Sequence, residues 1–239
     1  MNRRTLGDIH PETLISISNV ASLLEVQGKL NEAEPLIREA LEGSRRTLGN
    51  THPFTLISIN NLAMLLKTLG KLDEAEPLIR EALEGSRRTL GDTHPSTLAS
   101  INNIAMLLQA QGKLNLADPL YREDMEVYRC ILGDTHPDTL TSINNIAMLL
   151  QNQGKLDKAE PLLREALEVR RRTLGDTHPS TLSSINFAML LETQGKLDEA
   201  EVLYREAVSG AKKTLGVEHP TTVLFQKNLD LLLQDMGKA

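Results

Sequence analysis

Histidine followed by proline occurs six times in this chain of 239 residues, at His10, His52, His94, His136, His178 and His219, and successive histidines stand 42, 42, 42, 42 and 41 residues apart. A period of that length, sustained from one end to the other, means a single structural unit stacked on copies of itself and excludes a conventional one- or two-domain globule. The other breakers keep the same period. Four further prolines follow an acid (Pro35, Pro77, Pro119, Pro161). Six glycines precede a lysine, among them Gly28, Gly70 and Gly112, and six close a Leu-Gly pair, among them Gly49, Gly91 and Gly133. Gly43, Gly85 and Gly210 share one more slot.

The second repeat shows what one unit does. Ile59, Leu62, Ala63, Leu65 and Leu66 recur at helical spacing, and the alternation typical of a strand is absent. This helix, called A, is predicted to begin at Pro53, whose fixed φ and missing N–H suit a first turn, and to stop near Gly70. A second helix, B, follows through Ala75, Leu78, Ile79, Ala82 and Leu83 to Arg87 and Arg88, cations placed where a helix C-terminus favours them. Asp73 with Glu76 three residues later has the spacing of a capping box, which recurs as Asn31/Glu34, Asn115/Asp118, Asp157/Glu160 and Asp198/Glu201. Pro77 is expected at about the fourth helical position, where a missing N–H matters little.

A lone helix pair cannot bury its apolar stripe, and stacked pairs can. The expected fold is therefore all-α, a right-handed α-solenoid of antiparallel helix pairs. The expected divisions are repeats at about 10–51, 52–93, 94–135, 136–177 and 178–218, with a capping helix at 219–239 and residues 1–9 as the tail of a preceding helix. Small residues such as Ala21, Ala63, Ala105, Ala147 and Ala188 in the A helices, and Ala33, Ala75, Ala117, Ala159 and Ala200 in the B helices, allow close approach.

Composition narrows the function classes. The net charge is −6 and aromatics are 3% of residues with no Trp, which argues against nucleic acid, whose binding needs phosphate neutralisation and stacking. No apolar run approaches the roughly twenty residues of a membrane span. The start, Met1-Asn2-Arg3-Arg4, has no apolar stretch behind it and is no secretory signal. The single cysteine, Cys130, fits a reducing compartment, so the cytoplasm is the expected location.

The residues Asn60-Asn61-Leu62-Ala63, Gly70-Lys71-Leu72-Asp73-Glu74-Ala75-Glu76-Pro77-Leu78, Arg80-Glu81-Ala82-Leu83-Glu84 and Leu90-Gly91-Asp92-Thr93-His94-Pro95 resemble the tetratricopeptide repeat in its 42-residue form, typical of kinesin light chains. The resemblance covers essentially the whole chain and implies a superhelical scaffold that binds a protein or peptide ligand in its concave groove. Tyr121 and Tyr204 stand in the Ile79 slot, where the family often has an aromatic. Kinesin light chains join their motor through a heptad coiled coil, which this sequence lacks, so a motor partner is implied only if a longer parent chain carries one. The second reading is a sensor or regulatory segment of a larger nucleotide-driven signalling protein; helical-repeat RNA binding is disfavoured by the charge.

The candidate ligand-binding residues are rows of one slot per repeat. Asn60-Asn61, Asn102-Asn103 and Asn144-Asn145, continued by Asn19 and Asn186, are expected on helix A away from the Leu62/Leu66 stripe, the side that lines the groove in the family. An amide offers donor and acceptor together, so such a row can grip the backbone of an extended peptide, or alternatively link neighbouring helices. Met64, Met106 and Met148, with Met189, form a second row that reads either as an adaptable binding surface or as core. Lys67, Gln109 and Gln151 form a third, in which Glu25 and Glu192 also fall; that mixture makes a poor clamp for acidic peptides. The histidines would be spaced by a helix-pair thickness, too far apart for a metal shell, and read as turn and cap residues. No nucleophile, phosphate loop or carboxylate pair stands out, so neither catalysis nor a cofactor is expected.

Two departures break the pattern. In the third repeat Asp124 fills the small Ala82 slot, where a carboxylate needs a partner or a raised pKa. In the fifth repeat Ser184-Ile185-Asn186-Phe187-Ala188 is one residue short, which rotates everything upstream by about 100°. Either Ser184 enters the core slot or the helix tightens, and distortion is expected at 184–187.

Overall fold

The structure, a computed structural model, describes residues 7–174 and 182–238. Among these residues there are eleven α-helices in consecutive antiparallel pairs. In chain order they are α1 (Pro11–Val26), α2 (Leu30–Leu48), α3 (Pro53–Thr68), α4 (Leu72–Leu90), α5 (Pro95–Ala110), α6 (Leu114–Leu132), α7 (Pro137–Asn152), α8 (Leu156–Leu174), α9 (Leu182–Thr193), α10 (Leu197–Thr214) and α11 (Pro220–Asp235). Odd-numbered helices are of type A and even-numbered ones of type B. The fold is an α-solenoid of antiparallel helix pairs. Its packing divides into two compact units, Met1–Asp124 and Met125–Ala239.

The His-Pro pair starts helix A by two means at once. Proline occupies the first turn, and the histidine before it is the N-cap, its Nδ1 accepting from the backbone N–H two residues on. These bonds are 3.2 Å at His52, 3.1 Å at His94 and 3.2 Å at His136. Imidazole here does what Ser or Asp usually does at a helix start. His178 lies outside the described residues. A buried threonine on the same turn ties it to the preceding B helix: Thr97 Oγ1 donates to the Gly91 carbonyl at 2.7 Å, and Thr139 Oγ1 to that of Gly133 at 2.8 Å.

Helix A ends in a Schellman turn. In the second repeat Lys71 N–H donates to the Leu66 carbonyl at 2.8 Å and Gly70 N–H to that of Lys67 at 3.0 Å, with Gly70 at φ +77°. A side chain at that φ is strained, which explains the glycine in every repeat. The turn leads so directly into helix B that Lys71 is its N-cap, with no side-chain cap bond. The capping box expected at Asp73/Glu76 is therefore not formed: Asp73 lies inside the first turn, Pro77 is the sixth residue of α4 rather than about the fourth, and Glu76 is directed to the next repeat.

Leu56, Ile59, Leu62, Ala63, Leu65 and Leu66 from α3 pack with Ala75, Ile79 and Ala82 from α4, all essentially buried. Gly43 and Gly85 sit against a leucine of the preceding A helix, in the slot that Val127 and Val169 fill in sister repeats. A Cβ on Gly43 would sit 2.5 Å from Leu14 Cδ2, and one on Gly85 would sit 2.6 Å from Leu56 Cδ2. In the fourth repeat Val169 packs in one cluster with Leu140, so the leucine there accommodates a side chain.

The short fifth repeat is α-helical throughout 182–193, so the distortion expected at 184–187 is not there. Keeping every helical bond and rotating the upstream residues is the cheaper solution. Ser184, 1% exposed, stands in the slot that Ile143 fills in the fourth repeat. Asp124, which fills the slot that is Ala82 in the second repeat, is likewise 1% exposed. Its charge, together with burial as the larger cause, pushes the Tyr121 hydroxyl to a higher pKa.

Candidate functional site

Within each unit successive A helices touch directly, α3 on α5 and α7 on α9. Successive B helices are joined instead by long ion pairs. Arg45 of α2 reaches Glu81 of α4 at 2.7 Å, Arg87 reaches Glu123, Arg129 reaches Glu165 at 3.1 Å, and Arg171 reaches Glu206. The A-helix side is thus the tight side of each unit. The basic row at the ends of the B helices is spent mainly on the next repeat, with Arg46 to Glu42 as a pairing within one helix.

A second clasp lies at the start of helix B. Glu76 accepts from Gln111 at 3.0 Å, from Arg80 at 2.8 Å and from Lys113 at 3.2 Å, and these donors hold its carboxyl at a pKa of about 2. Glu160 is held at about 2 in the same way, by Lys196 at 2.7 Å, Arg164 at 2.9 Å and Gln194 at 3.1 Å. Lys71 to Glu34 at 2.8 Å and Lys238 to Glu201 at 2.9 Å repeat the contact. Local spacing reads these glutamates as caps. The signal that links them to the next repeat is the lysine that follows every Schellman glycine, about one repeat further on.

The amide pairs separate into two classes. Asn60 is buried: its Nδ2 donates to Ser100 Oγ at 2.8 Å, and its Oδ1 accepts from Asn103 Nδ2 at 3.5 Å. Asn144 is buried in the same slot. Both are expected from the sequence on the face away from the core; they lie between helices because consecutive residues on a helix differ by about 100° and cannot share one face. Asn102 is half-buried, its Nδ2 turned to Met106 Sδ at 3.5 Å. The second members differ. Asn61 and Asn19 are exposed, and Asn103, Asn145 and Asn186 are half-buried.

The methionines flank that outer row. Met64 and Met106 are half-buried, while Met148 and Met189 are 43% and 45% exposed. Asn186 Nδ2 approaches Met148 Sδ at 3.9 Å. In the third row, burial pushes the Lys67 ammonium below the ordinary lysine range and the Glu25 carboxyl above the ordinary range. Gln109 Oε1 accepts from the buried Tyr121 hydroxyl at 2.9 Å, and Glu192 from that of Tyr204 at 2.7 Å. In the second unit Gln151, Met189 and Glu192 line a cleft of about 560 Å³ with Leu231 and Asp235 of α11. No helix among the described residues is long and apolar enough to cross a membrane.

A family model described as tetratricopeptide repeat matches residues 12–88, 57–129 and 138–213. The chain belongs to the tetratricopeptide repeat family. Among solved structures, a kinesin light chain-like protein of Podosopora anserina with nearly identical TPR-like repeats is 29% identical, covering 86% of this chain and 98% of that one at a TM-score of 0.72. BtubC from P. vanneervenii is 24% identical, covering 88% and 84% of the two chains at a TM-score of 0.71, a likeness of fold. A search of curated proteins returns no significant match. Proteins built on this repeat generally serve as non-catalytic scaffolds for protein interaction.

Proposed function

We propose that the chain is a cytoplasmic adaptor that binds an extended peptide segment of a partner along the A-helix side of its units, as the kinesin light chain resemblance implies. The observation that carries this reading is the outer amide of each A helix, Asn61 exposed and Asn103, Asn145 and Asn186 half-buried, each with a methionine three residues on. Amides hold a backbone through donor and acceptor alike, and methionine adapts to varied side chains, so the two rows suit a ligand recognised by its extended form. The buried amide of Asn60, bonded to Ser100 and Asn103, serves the row by setting the spacing of α3 and α5, which present Asn61 and Asn103.

The test starts from decapeptides selected by random display against the whole protein. Changing Asn61, Asn103 and Asn145 together to Ala is expected to weaken the selected peptides by roughly tenfold or more, which corresponds to about 1.4 kcal/mol, the size of one net hydrogen bond. Unchanged affinity in the triple variant, with an unchanged circular dichroism spectrum, overturns the reading.

A further inference from the structure

The cleft of the second unit is not equivalent to the rest of the A-helix side. It is formed by side chains of α7, α9, α10 and α11, with Met189, Leu197 and Leu231 as its apolar wall and Gln151 and Asn228 as its amides. Two carboxylates face it, Glu192 and Asp235, and no lysine or arginine among the described residues lines it. Lys196 and Lys238 are engaged elsewhere, Lys196 with Glu160 at 2.7 Å and Lys238 with Asp198 at 3.0 Å and Glu201 at 2.9 Å. Lys227 of α11 is exposed and is not part of the lining.

Glu192 is set in place by the Tyr204 hydroxyl, which donates to its Oε2 at 2.7 Å. Burial first and that bond second push the phenol to a higher pKa, so it remains a neutral donor. In the repeat register, Glu192 stands where the second, third and fourth repeats have Lys67, Gln109 and Gln151. The first repeat also has an acid there, Glu25, but in the fifth repeat the slot lines a cleft with a second acid, Asp235.

We infer that this cleft receives a lysine or arginine side chain of the bound peptide. The inference rests on the peptide-binding reading and specifies its ligand. The aliphatic stem of such a residue lies against Met189 and Leu231 while its charged head meets Glu192 and Asp235, the way long cationic side chains divide between apolar and charged surroundings. Acidic ligands are disfavoured by the same charges.

The experiment is random decapeptide display against the whole protein, the Glu192→Gln/Asp235→Asn double variant and the Glu192→Lys variant. The amide replacements keep size and hydrogen-bonding capacity, and Glu192→Gln retains a side-chain oxygen to accept from Tyr204. The wild type is expected to enrich Lys or Arg at one position, the double variant to lose that enrichment, and Glu192→Lys to shift it toward Asp or Glu. A selected peptide should lose roughly tenfold in affinity on the double variant, whereas its norleucine version should bind both proteins alike. Selected peptides without a Lys or Arg preference, or a preference unchanged in the double variant, overturn the cationic inference. If those peptides still depend on Asn61, Asn103 and Asn145, the groove reading survives that failure. Failure to select any peptide overturns both.

Discussion

Asn60 in the first unit and Asn144 in the second hold the same slot of the repeat, yet their surroundings differ. Asn60 is satisfied on both ends, giving to Ser100 and receiving from Asn103. Asn144 Oδ1 is buried with no hydrogen-bond partner among the described residues, and Asn186, which stands in the slot of Asn103 one repeat on, turns its Nδ2 to Met148 instead. The deletion upstream of Phe187 lies between them. Removing one residue left the helix intact but changed which side chain fills each slot ahead of Asn186, so that Ser184 stands where the fourth repeat has Ile143.

This contrast sets the largest expected mutational effect. Asn60→Ala removes the bonds to Ser100 and Asn103 and should lower the unfolding free energy by about 1–3 kcal/mol, whereas Asn144→Ala should cost about 1 kcal/mol less. Urea titrations of the two variants measure the difference, and equal losses would break the comparison. The histidine caps are the control, because His52 and His136 have the same 3.2 Å geometry in the two units. His52→Ala and His136→Ala should each cost about 1 kcal/mol, equally, in thermal unfolding. A smaller effect concerns the clasps, again one per unit. Glu76 and Glu160 have their folded pKa lowered from 4.5 to about 2, so the stability they contribute is fully present above pH 4.5 and is lost as pH falls toward 2. Both are partly solvated, which keeps the contribution modest. The Glu76→Gln/Glu160→Gln double variant should show a flatter stability profile between those pH values, and an unchanged slope would remove the clasps from the account.

Helix positions, turns and the core are legible in the sequence because each rests on a local rule. Pro53, Gly70 and the Leu62/Leu66 stripe specify their conformations within a few residues. The binding surface is legible only in part. That Asn60 turns inward and Asn61 outward depends on where the neighbouring repeat sits, and the sequence of one repeat carries no such information. For the same reason Glu76 reads as a local cap, although its partners lie 35 and 37 residues away. The missing residue before Phe187 is evident from the spacing; its consequence, a buried serine in place of a bent helix, follows from the competition between backbone bonds and one side chain.

The most direct test of the account is hydrogen exchange of the whole protein with and without a saturating display-selected peptide. Added protection should fall on the A helices α3, α5, α7 and α9, around Asn61, Asn103, Asn145 and Asn186, and on the cleft residues of α10 and α11, with α2, α4, α6 and α8 unaffected. Protection confined to the Arg–Glu edge of α4 and α8 would contradict it and place the ligand on the opposite side.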